Sequence, residues 1–168
     1  QTMLPLLAER DNLVLLRTFS KAFCAAGVRC GVLFAQEPII QALMSLQTPW
    51  QITRFTIEAT KVILEFAKNT RWFQEQVEAV IKERDQLFEK LVRLKSPVYT
   101  FFPSQANFLL IRSKNREAHQ SLLASCAILG ILIKDLSGEP RLANHVRVTI
   151  GTADANEQFY RALKRANE

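Results

Sequence analysis

The chain has 168 residues, of which 48% are hydrophobic and 23% are charged. This composition is that of an ordinary globular protein and excludes a disordered or collagen-like chain. The net charge of +6 at pH 7 permits contact with phosphates. The lysines and arginines are scattered and form no block, which argues against a nucleic-acid-binding tract.

Two strands and two helices are predicted in the first part of the chain. Consecutive apolar residues at 12–19 and 32–35 predict short strands, buried on both faces in a mixed or parallel sheet. The small residues at 22–27 predict a tight connection between these strands. Helices are predicted over 39–46 and 52–66.

A long amphipathic helix and a small sheet are predicted in the second part. Residues 72–94 carry an apolar stripe of helical period that includes Arg84. Gly130 is expected to end a later helix. The remaining predicted elements are strands 98–102 and 107–112, helix 117–129, strand 131–134, loop 137–140, strand 146–150 and helix 153–166. Strands interleaved with helices predict an α/β or α+β fold, with the long helix packed on the sheet.

Cysteine and histidine usage argues against a metal centre. Cys24, Cys30 and Cys126 lack CxxC spacing, and His119 and His145 are the two histidines of the sequence. We therefore expect no metal site. Three cysteines without a pairing pattern suit a reducing compartment. Because neither a signal peptide nor a long uncharged apolar run is present, we expect a cytoplasmic protein without a membrane helix.

The segment TFSKAFCAAGVRCG at 18–31 has the chemistry needed to hold a reactive amine beside an anionic group. Lys21 could form a covalent bond with an aldehyde cofactor and then act as a base. Thr18, Ser20 and Arg29 supply the hydroxyl and guanidinium donors that a phosphate requires. Taken alone, however, a Ser-Lys pair after an apolar run is most often a strand exit with a solvated lysine.

The whole pattern TFSKAFxxAGxRxG resembles the lysine segment of the aspartate-aminotransferase-like enzymes of fold type I. These enzymes depend on pyridoxal 5′-phosphate, and the segment is most similar to that of the histidinol-phosphate aminotransferases. The resemblance implies that Lys21 is the Schiff-base lysine and that Ser20 and Arg29 contact the cofactor phosphate. Thr18 completes the predicted cofactor-binding set.

A second segment, NHVRVTIGT at 144–152 followed by Asn156, resembles the C-terminal arginine motif of the same family. The resemblance implies that Arg147 binds the acidic group of the substrate, which a planar guanidinium can hold with two donors. By itself, a charged residue in the middle of a strand normally points to solvent. Lys134 stands where histidinol-phosphate aminotransferases often carry a second arginine, so it joins the predicted substrate site as a point charge.

The resemblance covers nearly all 168 residues but corresponds to the C-terminal half of a family enzyme. It implies an α/β fold made of the C-terminal part of the large cofactor-binding domain at 1–50, interdomain and small-domain helices at 51–95, and an α+β small domain at 96–168. It also implies a homodimer. Because the family's upstream cofactor contacts are absent, the isolated chain is expected to be a fragment with little or no activity.

The function implied by the resemblance is amino transfer in histidine biosynthesis. The substrate would be an amino acid or amino phosphate, with 2-oxoglutarate and glutamate as the amino partner. Lys134, and Pro49-Trp50 in place of the usual Pro-Tyr-Asn, depart from the family pattern and leave the substrate open. The alternatives are a broader aromatic aminotransferase, a decarboxylase of a phospho-amino acid, and a non-catalytic remnant that binds a partner or nucleic acid.

Overall fold

The computed structural model describes residues 2–167, which divide after Val77 into two compact units. The first unit contains a pair of strands with helices, and the second contains a four-stranded sheet with helices. Both mix strands with helices, as the predicted α/β class requires. Within residues 2–167 no helix is both long and apolar enough to cross a membrane.

The first unit begins with a short 3₁₀ helix and continues with two strands and two α-helices. Its elements are the 3₁₀ helix Leu4–Ala8, β1 (Leu15–Thr18), the 3₁₀ turn Ala26–Val28, β2 (Gly31–Phe34), α1 (Glu37–Ser45), α2 (Arg54–Asn69) and the start of α3 (Trp72–Arg93). Helix α2 begins at a capping residue, since Oγ1 of Thr53 accepts the backbone N–H of Thr56 over 3.1 Å. Helices α1 and α2 correspond to the helices predicted at 39–46 and 52–66.

The prediction that the first two strands are buried in a mixed or parallel sheet is wrong for the described residues. Strands β1 and β2 pair antiparallel with each other and form a two-stranded sheet. Leu16 is 74% exposed, and Val32 and Phe34 are each more than a third exposed. The physical reason is that a run of apolar residues becomes buried only when further strands and helices cover both faces.

The second unit contains an antiparallel sheet with the strand order β3-β4-β6-β5. Its elements after α3 are β3 (Tyr99–Phe102), β4 (Phe108–Ser113), α4 (Arg116–Ile128), β5 (Lys134–Asp135), β6 (His145–Thr149) and α5 (Ala153–Ala166). The predicted strand at 131–134 is wrong in its bounds, because β5 has only two residues. The N–H of Ile131 donates to the carbonyl of Cys126 over 2.9 Å, so this residue closes α4 instead of joining the sheet.

The core of the second unit lies on one face of its sheet. Strand β6 alternates strictly, with Val146 and Val148 buried and Arg147 exposed between them. The buried cluster combines that face with side chains from α3, α4 and α5: Leu87, Leu91, Tyr99, Leu109, Ile111, Leu122, Cys126, Val146, Val148, Ile150, Phe159, Ala162 and Leu163. The other face of the sheet is therefore available to polar side chains.

Asn115 sets the start of α4 and contributes to the stability of this helix. Its Oδ1 accepts the backbone N–H of Ala118 over 2.9 Å. We expect Asn115→Ala to lower the free energy of unfolding by about 1 kcal/mol, because one N–H at the helix start loses its partner. The measurement is urea denaturation followed by far-ultraviolet circular dichroism. Ser121→Ala, at an exposed position of the same helix, should change stability little, and an equal loss in both variants would contradict the capping role.

Candidate active site

The turn between β1 and β2 carries the candidate lysine. The N–H of Ala25 donates to the carbonyl of Phe19 over 3.0 Å, and the N–H of Phe19 donates to the carbonyl of Cys30 over 3.2 Å. Cys24 has a φ of 51° and Arg29 a φ of 56°, so two non-glycine residues adopt the left-handed conformation here. This conformation costs about 1 kcal/mol per residue. Backbone strain of this kind is concentrated at functional sites in proteins.

Two hydroxyl groups meet at the start of this turn. Oγ1 of Thr18 donates to Oγ of Ser20 over 2.9 Å, and the N–H of Ser20 donates to Oγ1 of Thr18 over 3.1 Å. Nη1 of Arg29 donates to the carbonyl of Ala26 over 3.2 Å. The structure thus brings together the predicted pair Thr18 and Ser20. Within residues 2–167 the exposed side chain of Lys21 forms no hydrogen bond or ion pair, so its amine is available to a ligand.

A cluster of aromatic rings anchors the turn on both sides of Lys21. The rings of Phe19 and Phe23 lie 4.9 Å apart, and that of Phe23 lies 5.3 Å from the ring of Phe73 in α3. Phe66 of α2 also contacts this group, with its ring 5.6 Å from that of Phe73. Edge and tilted contacts of this kind stabilise a fold beyond the area that they bury. The cluster fixes the backbone around a lysine whose side chain remains exposed.

Arg147 and Lys134, the two predicted substrate-binding cations, are direct neighbours in the sheet of the second unit. Arg147 lies in β6 opposite Lys134 of β5 on one side and Leu110 of β4 on the other. Residues opposite each other in adjacent strands point to the same face, with Cβ atoms about 5 Å apart. Both cations are exposed on the face away from the core. They are thus placed so that one anionic group could contact both.

The ring of Phe108 borders the cationic patch formed by Arg147 and Lys134, a contact that the sequence did not predict. The guanidinium carbon of Arg147 lies 5.3 Å from the centre of the Phe108 ring. A cation over an aromatic face is attracted by the ring and is restrained in its orientation. Phe108 belongs to β4, so its contact with Arg147 depends on the register between two strands distant in sequence. The local sequence around Phe108 therefore could not predict this contact.

Beneath this patch, His119 of α4 contacts two residues at the edge of the sheet. Its Nε2 lies 3.0 Å from Oδ1 of Asp135 and 3.0 Å from Oγ of Ser137. The backbone N–H of Ser137 also donates to Oδ1 of Asp135 over 2.9 Å. No local sequence pattern predicted this contact of His119. Within residues 2–167 no group of three His, Cys, Asp or Glu side chains could hold a metal ion.

Asp135 makes the stability of the second unit depend on pH. The N–H of Ser137 holds the pKa of the Asp135 carboxyl below its usual value, and His119 adds to this effect. The stability that Asp135 contributes is therefore present above the ordinary aspartate pKa of about 3.9 and is lost as the pH falls through the lower folded-state value. Because the side chain is 44% exposed, solvent screening keeps the effect small.

We expect Asp135→Asn to be less stable than the wild type at neutral pH and to equal it in strong acid. Urea denaturation at a series of pH values measures this difference. Glu139→Gln, at an exposed site in the same loop, serves as the control for loss of one negative charge. A constant difference between Asp135→Asn and the wild type at all pH values would contradict the assignment.

Cys126, the cysteine of the second unit, is not a candidate nucleophile. Cys126 is 1% exposed, and burial raises the pKa of its thiol to about 11. A thiol that remains protonated is a poor nucleophile and a poor metal ligand. The remaining two, Cys24 and Cys30, lie in the turn that carries Lys21.

Comparison with known proteins assigns the segments that carry Lys21 and Arg147 to one protein family. The sequence profile of the family described as Aminotransferase class I and II matches residues 1–163. The chain belongs to this family. The match includes both the Lys21 segment and the Arg147 segment, which agrees with the resemblance stated from the sequence.

Curated relatives within the class I and II aminotransferases include several histidinol-phosphate aminotransferases. The one from Thermococcus kodakarensis is 40% identical over 162 residues, which are 96% of this chain and 43% of the relative. The one from Pyrococcus furiosus is 35% identical over 164 residues, or 98% of this chain and 43% of the relative. The chain therefore spans less than half the length of the curated relatives that it matches.

Solved structures confirm the predicted fold of the class I and II aminotransferases. The histidinol-phosphate aminotransferase from Clostridium acetobutylicum has a TM-score of 0.82 at 26% identity, over 99% of this chain and 49% of that structure. An L-threonine-O-3-phosphate decarboxylase from Porphyromonas gingivalis has a TM-score of 0.71 at 25% identity, over 94% of this chain and 48% of that structure. The roles assigned to the individual site residues remain predictions.

Proposed function

We propose that this chain provides the lysine and the substrate-anion site of a pyridoxal-phosphate-dependent aminotransferase. Its substrate is a phosphorylated amino compound of the histidinol phosphate type, with 2-oxoglutarate and glutamate as the amino partner. The observation that carries the proposal is the family match over residues 1–163, which contains both functional segments in order. The 40% identity to a histidinol-phosphate aminotransferase supports this choice of substrate.

The turn at 18–31 fits the proposed cofactor. Its donors are a primary amine on Lys21, two hydroxyls 2.9 Å apart on Thr18 and Ser20, and the guanidinium of Arg29. Hydroxyl, amide and guanidinium groups are the donors that bind phosphates in proteins. When bound, pyridoxal phosphate supplies a reactive aldehyde and a ring that withdraws electrons from the substrate.

Lys21 has two roles in the proposed reaction. Its Nζ provides the point of attachment for the cofactor, which an amine free of other partners can do. The same Nζ would accept the proton from the substrate Cα and so act as a general base. The aromatic cluster around Phe19 and Phe23 holds the backbone on both sides of this lysine in place.

Arg147 and Lys134 hold the anionic group of the substrate in this proposal. The guanidinium of Arg147, resting on the ring of Phe108, offers two parallel donors. Lys134 adds a second positive charge on the same face of the sheet. Two adjacent cations suit a doubly charged phosphate better than a singly charged carboxylate, because the attraction increases with the ligand charge.

Decarboxylation of a phospho-amino acid is the second candidate, since a threonine phosphate decarboxylase shares the fold at 25% identity. The test uses a chain extended to the full length of its relatives and loaded with pyridoxal phosphate. Incubation with histidinol phosphate and 2-oxoglutarate should yield glutamate, whereas O-phosphothreonine should release no carbon dioxide. Carbon dioxide release without glutamate formation would favour the decarboxylase.

Three finer features of the proposed enzyme rest on the family resemblance. They are a cytoplasmic location, a homodimeric assembly and the domain boundaries at 1–50, 51–95 and 96–168. Sedimentation of the full-length enzyme tests the assembly, and limited proteolysis tests the boundaries, because cleavage concentrates in exposed linkers.

A further inference from the structure

The strand that carries Lys134 has little support of its own. Strand β5 contains two residues and lies at the edge of the sheet. On one side it pairs with β6, where Lys134 lies opposite Arg147, and the N–H of Leu136 donates to the carbonyl of His145 over 3.0 Å. Short edge segments with few hydrogen bonds open easily in native proteins. A side-chain contact to β5 from outside this pairing would therefore help to hold Lys134 beside Arg147.

His119 supplies that contact from the core side. The side chain is 5% exposed and lies on α4, whose Leu122 and Cys126 are buried in the core. Its Nε2 is within 3.0 Å of both Asp135, the second residue of β5, and Ser137. The ring therefore joins the edge of the sheet to a helix that is fixed by packing.

In the described part of the chain, all hydrogen bonding of the His119 ring goes through Nε2, because the other ring nitrogen has no partner. Nδ1 is buried and has no hydrogen-bond partner within residues 2–167. An N–H at that position would be buried without an acceptor, which is unfavourable, so the proton belongs on Nε2. In this tautomer Nε2–H donates to the Asp135 carboxylate and lies beside the Ser137 hydroxyl.

The arrangement does not serve nucleophilic catalysis, although it contains Ser, His and Asp. In a catalytic triad the carboxylate binds one ring nitrogen while the other nitrogen accepts the proton of the serine. Here Asp135 and Ser137 share the same nitrogen, Nε2 of His119. The ring cannot be oriented by Asp135 and deprotonate Ser137 through that single atom.

We propose that His119 is a positioning residue that fixes β5 and thereby keeps Lys134 beside Arg147 for the anionic group of the substrate. This role rests on the proposed function only in what the two cations bind. The positioning itself depends on the contacts between α4, β5 and β6. It predicts that loss of the Nε2 donor loosens β5 and spares the rest of the unit.

The first experiment measures amide hydrogen exchange of the 168-residue chain by NMR. We expect His119→Ala to speed the exchange of the Leu136 amide about tenfold, while amides in α5 keep their rates. His119→Gln should restore slow exchange, because its Nε2 can donate from nearly the same position. His145→Ala is the matched control, since it removes an imidazole from the same sheet but keeps the backbone carbonyl that accepts from Leu136.

Equal Leu136 exchange in the wild type and His119→Ala would overturn the proposal, as would a failure of His119→Gln to restore it. General acceleration throughout the second unit would also overturn it, because His119 would then have only a structural role. The local change with rescue by glutamine is the supporting result.

A second experiment separates this proposal from the proposed function. The same variants are titrated with inorganic phosphate, and the side-chain signals of Arg147 and Lys134 are followed. We expect His119→Ala to weaken binding about fivefold, because the two cations are no longer pre-organised, and His119→Gln to restore it. Phosphate that leaves both signals unchanged in the wild type would overturn the proposed substrate site, while Leu136 exchange would still decide the role of His119.

Discussion

Replacing Lys21 with arginine should lower turnover about a thousandfold or more in a chain extended to the full length of its relatives. Arginine preserves the positive charge and much of the side-chain length. Its guanidinium does not lose its proton in proteins, so it can neither bond to the cofactor aldehyde nor accept the Cα proton. The measurement is the rate of glutamate formation with saturating cofactor. Lys61→Arg is the matched control, because Lys61 is an exposed lysine of α2 that pairs with Glu58 over 3.1 Å.

The same variants identify the lysine independently of activity. Wild-type chain treated with pyridoxal phosphate and then borohydride should carry the label on the peptide that contains Lys21. Lys61→Arg should give the same labelled peptide, and Lys21→Arg should lose it. Near wild-type turnover in Lys21→Arg, or label spread over many lysines, would contradict the assignment.

The largest expected effect on stability is that of Leu122→Ala. Leu122 is fully buried in α4, within the cluster that α3, α4 and α5 form on the sheet. Removing three carbon atoms from such a site leaves a cavity and lowers the free energy of unfolding by about 3 kcal/mol. Leu132→Ala makes the same chemical change at a position that is 97% exposed, and it should have almost no effect.

Urea denaturation followed by circular dichroism compares these two variants. The difference between their unfolding midpoints isolates the contribution of burial, because the substitution is the same in both. A similar midpoint for Leu122→Ala and Leu132→Ala would mean that the helices do not pack on the sheet as described.

The elements that the sequence predicted well are those whose signal is local. Helix α3 is the clearest case, since its apolar stripe predicted the helix and placed Arg84 on the apolar face. The structure places this arginine at 6% exposure, with Nη2 2.8 Å from Asp85 and Nη1 3.5 Å from the carbonyl of Ala106. A long side chain can be buried along its methylene groups when its charged end finds partners.

The elements that the sequence predicted poorly depend on distant parts of the chain. Whether β1 and β2 are buried is decided by what covers them, which their own residues do not encode. The start of β5 was misplaced because Ile131 satisfies its N–H in the closure of α4. Residue composition alone cannot distinguish a strand from an extended helix terminus.

The candidate site likewise contains features with a local sequence signal and features that depend on distant parts of the chain. The lysine turn is one continuous segment, so its amine, hydroxyl and guanidinium groups could be identified from the sequence. The adjacency of Lys134 and Arg147, the ring of Phe108 and the contact from His119 arise from strand register and helix packing. These features appear only when the chain is folded, because register brings together residues far apart in sequence.

The left-handed backbone at Arg29 sets stability and function against each other at a single residue. Glycine would adopt the φ of 56° without penalty, so Arg29→Gly should relieve about 1 kcal/mol of strain in the turn. The same change removes the guanidinium that the proposed enzyme uses to hold the phosphate. Selection for thermal stability alone should therefore favour glycine at this position and weaken binding of the proposed cofactor. Selection for both thermal stability and activity should retain arginine.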